Sequence, residues 1–414
     1  MVTDDSILVK LGRRLSEFRQ DRGWSAQRLG DIVQFSSGGT PSKDEASYWN
    51  GNIPWISASS MHETRIVNSN LKVTPLAIGN GTRIAPKGSL LVLIRGSMLF
   101  NRVPVCIAAV DVAFNQDVKA LTVREDVNPE FLLYQLLALS PRIPVNETGI
   151  GAGKIDTDTL GNLPVYLPSP PEQKKIAECL TSLEELISAQ GQKVAALKSH
   201  KLGLTQKLFP RSGETTPRLR FPEFRNEADW QELKAGELFF NRIEKGDDDL
   251  PICSVTMSDG LVRRSSLDRR IDDLANAEGN KKAYKLDIAY NMMRMWQGAC
   301  GVAIEECMIS PAYIVLKPAV ELNSNFYGYM FKLPQMLQLF ESHSRGLTKD
   351  RLRLYYQDFC RIPLAHPNIS EQQRISEFLE SLDAKIASQC EMLQVLKEHK
   401  KGLMQQLFPS PGGV

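Results

Sequence analysis

The sequence predicts an α+β chain built twice: two globular mixed α/β domains and two long helices that form an antiparallel coiled coil, with a pseudo-twofold internal repeat. Three observations carry this. Residues 172–210 recur as 371–409 at a constant offset of 199 with no gap, and 19 of the 39 positions are identical. Each copy places apolar residues at heptad spacing. The segments between the copies share their outer framework but differ inside.

The helices come first. Copy one carries Ile176, Leu180, Leu183, Ile187, Val194, Leu197, Leu204 and Leu208. Copy two carries Ile375, Leu379, Leu382, Ile386, Leu393, Leu396, Leu403 and Leu407. With Ile176 at d and Leu180 at a, this is a coiled-coil seam. A helix of this size runs roughly 55–60 Å at about 1.5 Å per residue. Its apolar stripe is too narrow for a buried core helix, so it needs a partner along its length. Its own copy serves. If the intervening domain is compact, the second helix starts near where the first stops and runs back, antiparallel. Gln190 and Lys201, and their equivalents Gln389 and Lys400, put polar groups on the seam. Layering a against d predicts Gln190 opposite Lys400 and Lys201 opposite Gln389. Polar seam residues cost stability but specify register.

In chain order, residues 1–30 form a tail and a lead-in segment. Glu17, Phe18, Arg19 and Trp24 match Glu223, Phe224, Arg225 and Trp230 in a second lead-in at 211–230. Residues 31–168 are the first domain. Strands are expected at 31–36, 88–95, 103–110 and 118–123, and a helix at 129–139, giving a curved mixed sheet. Residues 37–42 (Ser-Gly-Gly-Thr-Pro-Ser) make a turn of small residues. The first helix occupies 169–210. The second domain, 231–365, has strands near 250–255 and 309–315 and a helix over 326–340 that Pro334 kinks. The second helix occupies 366–409, and 410–414 is a tail.

Bulk properties describe an ordinary soluble protein: 42% hydrophobic, 24% charged, net charge +2. The start is polar and no apolar run approaches the ~20 residues of a membrane span. Seven scattered cysteines fit a reducing cytosol. No His or third Cys supports Cys300 and Cys307 as a metal site. The near-neutral balance requires any nucleic-acid binder to use local basic patches.

These residues resemble the DNA-specificity subunit of a type I restriction–modification enzyme, over about residues 17–410. The carrying elements are Pro-Pro-Glu-Gln at 170–173 opening a heptad helix that ends in Lys-Leu-Phe-Pro, and Ser370-Glu371-Gln372 opening one that ends in Gln-Leu-Phe-Pro. The 38–42 turn with Tyr48, Trp49, Ile53, Pro54 and Trp55 is similar to one subclass of target-recognition domain. Ser254-Val255-Thr256, residues 290–294 and Ser310-Pro311-Ala312-Tyr313 are similar to another. The resemblance implies a chain without catalytic activity, whose two target-recognition domains each read half of a bipartite DNA site. It implies that the coil spaces the domains and docks two methyltransferase subunits. S-adenosylmethionine is then expected in those partner subunits, and ATP and Mg in motor–nuclease subunits that join them. No cofactor or metal is expected in this chain, and its location is the cytoplasm.

Motifs that suggest enzymes fall short. Residues 149–154 (Gly-Ile-Gly-Ala-Gly-Lys) lack the spacing of a phosphate loop, and Ile155 replaces the Ser/Thr that binds the metal ion. Residues 310–313 lack the Asn/Asp that would hold a target amine, and no Gly-rich cofactor loop opens a βαβ unit. Asp247, Asp248 and Asp249 form an acidic turn, and the five histidines complete no catalytic set. A structural coiled-coil protein with protein-binding end domains is the alternative; it has little reason to diverge inside both domains while keeping the framework.

Basic and amide side chains supply the candidate interface, because Lys and Arg neutralise phosphates while Arg, Asn and Gln pair with base edges. In the first domain these are Thr40, Ser42, Lys43, Arg95, Arg102, Asn115, Gln116 and Lys154. In the second they are Arg263, Arg264, Arg294, Arg345, Lys349, Arg351 and Arg353, with Arg269 and Arg270 nearby. Trp296 suits either stacking on bases or packing in the core.

Overall fold

The structure is a computed structural model that describes residues 23–148, 151–267 and 279–408. The tail, the residues 17–19 lead-in, Gly149, Arg269, Arg270 and the closing Pro409 lie outside the described residues. The chain divides into two compact units, 1–191 with 391–414, and 192–390.

Unit one begins with β1 (Ser25–Arg28), α1 (Leu29–Ile32) and β2 (Val33–Ser37). The expected strand at 31–36 thus starts two residues late, because Leu29 and Ile32 sit on one face of a helical turn and are both buried. Next come β3 (Trp49–Ile56), β4 (Arg65–Ile66), β5 (Lys72–Val73), β6 (Arg83–Ala85), β7 (Leu90–Leu93), β8 (Arg95–Gly96), β9 (Val105–Ala108), β10 (Val112–Phe114) and β11 (Val118–Val123). Helix α2 (Pro129–Leu139), β12 (Asn146–Thr148), β13 (Ala152–Lys154), α3 (Thr157–Gly161) and β14 (Pro164–Leu167) lead into the long helix α4 (Pro170–Leu208). The strands do not form one curved sheet. They form a five-stranded sheet (β2-β11-β7-β9-β4), a four-stranded sheet (β5-β3-β10-β6), a three-stranded sheet (β12-β13-β8) and the pair β1-β14. Most strands are too short to span more than one layer. Every residue of β7 and β9 is buried, so these central strands read as apolar runs rather than alternating ones.

Unit two repeats the frame. It holds β15 (Gln231–Lys234), α5 (Ala235–Leu238), β16 (Phe239–Arg242), β17 (Ile252–Val255), β18 (Leu261–Arg263), β19 (Lys281–Ala283), β20 (Ile288–Asn291), β21 (Cys300–Val302), β22 (Cys307–Ile309) and β23 (Tyr313–Pro318). Helices α6 (Ser324–Met330), α7 (Pro334–His343) and α8 (Tyr356–Phe359) and strand β24 (Pro363–His366) lead into α9 (Ile369–Leu407). Two four-stranded sheets, β16-β23-β20-β21 and β18-β17-β22-β19, and the pair β15-β24 result. The strand expected at 309–315 is two strands, since Tyr313 N–H donates to Ser310 O in an intervening turn. The kinked helix is two helices. Pro334 lacks an amide hydrogen and starts α7 at its first position, where none is needed.

The repeated Gln and Phe now have a physical role, and it is the same in each unit. Asn128 caps α2 by accepting from Phe131 N–H at 2.9 Å, and Gln173 accepts from Asn128 N–H at 2.8 Å. In unit two Asn323 caps α6 through Phe326 N–H at 3.0 Å, and Gln372 accepts from Asn323 N–H at 2.9 Å. Each buried glutamine therefore clamps the start of a body helix to the start of a long helix. The far end of the other long helix closes the same joint. Phe408 packs on Phe131 (ring centroids 5.6 Å), which meets Trp24 edge-on. Phe209 packs on Phe326 (5.0 Å) and Trp230 (6.1 Å). Within each unit, the start of one long helix thus meets the end of the other, and the pair runs antiparallel.

Ile176, Leu180, Leu183, Val194 and Leu208, with Ile375, Leu379, Leu396, Leu403 and Leu407, are buried; Ile187, Leu197, Leu204, Leu382, Ile386 and Leu393 are half-buried. The lysines of the seam reach carboxylates. Lys400 Nζ lies 3.0 Å from Glu184 and over the Tyr134 ring, and Lys201 bonds Asp383 and lies over Tyr329. Glu184 and Asp383 are six residues before Gln190 and Gln389, about 9 Å along a helix. Each lysine thus meets a full negative charge, and a carboxylate is a stronger acceptor for an ammonium than a neutral amide. The tyrosine under each lysine donates to that same carboxylate, Tyr134 to Glu184 at 2.9 Å and Tyr329 to Asp383 at 2.7 Å.

Burial by itself would raise the Glu184 carboxyl, but hydrogen bonds from Thr64, Lys400 and Tyr134 and the Lys400 charge hold it below the ordinary range. A carboxylate depressed in the folded state contributes fully above its unfolded pKa, about 4.3, and that contribution is lost as pH falls through the folded value. Glu184→Ala is expected to cost about 2 kcal/mol at pH 7, and Asp383→Ala, which is more exposed and has fewer donors, about half that. Urea denaturation checks both. Equal midpoints for wild type and Glu184→Ala at pH 7 would remove the network from the account.

Candidate nucleic-acid interface

In unit one the Gly-Gly-Thr-Pro turn lies against β10 and the 79–82 loop. Gly39 N–H donates to Phe114 O at 2.9 Å. A side chain at Gly38 would put its Cβ 2.1 Å from Phe114 O, and one at Gly39 would sit 2.1 Å from Gly81 O. Only glycine permits backbone approach this close. The turn presents Thr40, Ser42 and Lys43 to solvent, and Thr40 donates to Gln116 at 2.8 Å. Trp49 donates to Ser42 O at 2.9 Å and meets the buried Trp55 edge-on at 5.4 Å, so the two tryptophans brace the turn.

Arg95 and Lys154 are brought side by side as partners in the three-stranded sheet. Lys154 makes a 2.6 Å ion pair with Asp156. Lys154 thus stands in a strand, not in a phosphate-cradling loop. Arg102 donates to Met61 O at 3.0 Å and remains exposed.

Asn115 does not belong to this surface. It is 7% exposed, its amide donates to Asp117, and its carbonyl accepts from Asp117 N–H. Both ends of the side chain are occupied in holding its own turn, leaving nothing to offer a base.

Unit two carries a denser basic surface. Residues 345–353 form a hairpin closed by mutual backbone hydrogen bonds of 2.9 Å between Arg345 and Arg353. Beside it lies a cavity of about 990 Å³ lined by Arg345, Arg351, Arg353, Tyr355, Gln357 and Asn241, among others. Lys349 reaches Glu341 at 3.0 Å and lies 5.8 Å from the Trp296 ring. Trp296 is half-buried and donates to Met293 O, so it lies at the border of this surface.

The arginines divide by partner. Arg345 bonds the buried Asp358, an interaction that raises the guanidinium pKa further. Arg263 is held through Nε and Nη2 by Glu305, at 2.6 and 2.5 Å, and Arg264 donates to Ser254 at 3.3 Å. Arg351, Arg353 and Arg294 are exposed and make no ion pair among the described residues. Tyr355 and Gln357, beside these charges, escaped the sequence reading. Their only signal was proximity to a basic run.

The sequence profile of the type I restriction modification DNA specificity domain matches this chain twice, over residues 21–199 and 231–398. The chain belongs to that family. Each match takes in one domain and most of the long helix that follows it, so the specificity-domain repeat coincides with the repeat of the helices. The chain is 30% identical over 165 residues to the Type I restriction enzyme EcoR124I/EcoR124II specificity subunit of Escherichia coli, covering 39% of this chain and 41% of that one. It is 26% identical over 212 residues to the MjaIX specificity subunit of Methanocaldococcus jannaschii, covering 50% and 46%. The matches to these two relatives thus span less than half of each. The MjaVIII specificity subunit of the same organism matches at 20% over 96% of this chain and 94% of its own. In structure, the S subunit of the type I restriction–modification system from M. genitalium superposes with a TM-score of 0.58 at 14% identity, covering 95% of this chain and 98% of that one. The specificity-domain fold therefore extends over both units. Among the described residues no helix is long and apolar enough to cross a membrane.

Proposed function

We propose that this chain is the non-catalytic specificity subunit of a type I restriction–modification complex. Residues 31–168 read one half of a bipartite DNA site and residues 231–365 read the other. One observation carries the reading. The two specificity domains keep identical joints, Gln173 with Asn128 and Gln372 with Asn323, yet offer different polar surfaces. One offers a Gly-Gly-Thr-Pro turn with an Arg95–Lys154 sheet; the other offers an arginine hairpin beside Trp296. A common frame with different readers suits two half-sites of different sequence. Leu186, Leu202 and Val395 stand exposed on the long helices, where a plain two-helix coil would place polar residues. Leu186 and Val395 in unit one and Leu202 in unit two each offer an apolar contact to a methyltransferase subunit, which would bring S-adenosylmethionine. Motor–nuclease subunits would bring ATP and Mg.

Exchanging residues 31–168 for the matching domain of a related subunit tests the division of labour. Methylome sequencing is expected to show one half of the modified motif changed and the other retained. A swap that altered both halves, or neither, would rule the division out.

A further inference from the structure

We propose that Leu347 is an apolar wedge that enters between two base pairs of the duplex bound by unit two, partly unstacking them. This rests on the DNA-reading function proposed above. Leu347 is 95% exposed, the highest value among the exposed large hydrophobic residues of the described chain. It does not hang on a loose loop. Arg345 and Arg353 close the hairpin base through two 2.9 Å backbone bonds, and Arg351 N–H donates to Thr348 O at 2.9 Å across the tip. Gly346 lets the two arms touch, since a Cβ there would lie 2.5 Å from Arg351 O. Below the base, Leu354 is fully buried and its N–H donates to Met292 O at 2.9 Å. The frame therefore holds a branched aliphatic side chain out into water, an arrangement with no folding benefit that becomes favourable when something covers it.

The surroundings say what covers it. Lys349 and Arg351 flank the tip and Arg345 and Arg353 stand at the base, so basic residues surround Leu347 along the hairpin, with Asp350 as the acidic exception. Lys349 and Arg345 have acidic partners; Arg351 and Arg353 make no ion pair among the described residues. Such a setting fits a polyanion, with cations on phosphates and the leucine directed at the stack. Apolar side chains act this way at base steps, levering open the minor-groove side. Pyrimidine–purine steps unstack most easily, so a wedge reads a flexible step without a hydrogen bond to any base.

The test uses the full-length chain and duplexes carrying the motif found by methylome sequencing, with 2-aminopurine placed singly along the half-site read by unit two. Wild type is expected to raise fluorescence at two adjacent positions. L347A is expected to abolish that rise and weaken binding ~10-fold, with the slope of log K against log salt unchanged. L347M, which keeps the apolar volume, is expected to retain both. An unchanged urea midpoint for L347A shows that the fold is intact. Wild-type fluorescence and affinity in L347A would overturn the wedge while leaving DNA reading in place. Unaltered DNA binding with loss of a co-purifying subunit would overturn it in favour of a protein interface. Absence of salt-dependent DNA binding by wild type would overturn the DNA reading itself, and the wedge with it.

Discussion

Replacing Arg220 by alanine is expected to destabilise unit two by about 3–5 kcal/mol. Arg220 Nε and Nη2 each donate to Glu371 at 2.8 Å, and Nη1 and Nη2 donate to the carbonyls of Glu227 and Ala228 at 3.0 Å. The side chains are 7% and 1% exposed. The guanidinium therefore ties the start of α9 to the segment that precedes β15. Its removal leaves a carboxylate in a site closed to water. Charge burial without a partner is among the largest single-residue penalties, and domains are stable by only about 5–15 kcal/mol. Glu371→Ala is expected to do comparable damage. The pair Arg220→Met with Glu371→Leu is expected to recover most of the loss, because neither partner is then left charged and alone. In unit one, among the described residues, the equivalent Glu172 accepts a 3.2 Å bond from Trp24, and removing that bond by Trp24→Phe should cost about 1 kcal/mol. Urea denaturation at constant m-value measures all four. Single variants at Arg220 within about 1 kcal/mol of wild type would show that water reaches this pair.

Joint replacement of Arg351 and Arg353 by alanine is expected to reduce DNA affinity on the order of 50-fold at physiological salt and to lower the salt slope by about two. Both guanidiniums line the open cavity of unit two, and neither spends its charge on an ion pair among the described residues. Arg263 is held through Nε and Nη2 by Glu305, so Arg263→Ala should change affinity far less. Filter binding or fluorescence anisotropy across a salt series separates two roles. An arginine that neutralises a phosphate, once removed, lowers affinity on every sequence and flattens the slope. An arginine that pairs with a base, once removed, relaxes the motif at one position, at about 1–3 kcal/mol, and leaves the slope nearly unchanged. If the double variant matched wild type in both slope and motif, the basic hairpin would not be the reading surface.

What the sequence determined by itself was whatever repeats or follows a local period. The heptad spacing of the long helices, the helix at 129–139 and the strand at 118–123 all stand where residue pattern puts them. The repeated Gln and Phe mark the joints in the sequence, because two copies of one joint need the same residues. Tertiary structure alone decided which polar residues remain available. Gln173 and Asn128 are 45 residues apart, Arg263 and Glu305 are 42, and Arg220 and Glu371 are 151. Tyr134 and Glu184, 50 residues apart, share one network with Lys400. Lys201 and Lys400 each reach a carboxylate, Asp383 and Glu184. The physical reason is the same in each case. Burial of apolar groups is non-directional and follows spacing along the chain, so pattern reveals it. A hydrogen bond or ion pair holds only over about 3 Å and at the right angle, so its partner is set by whichever distant elements the packed core brings together.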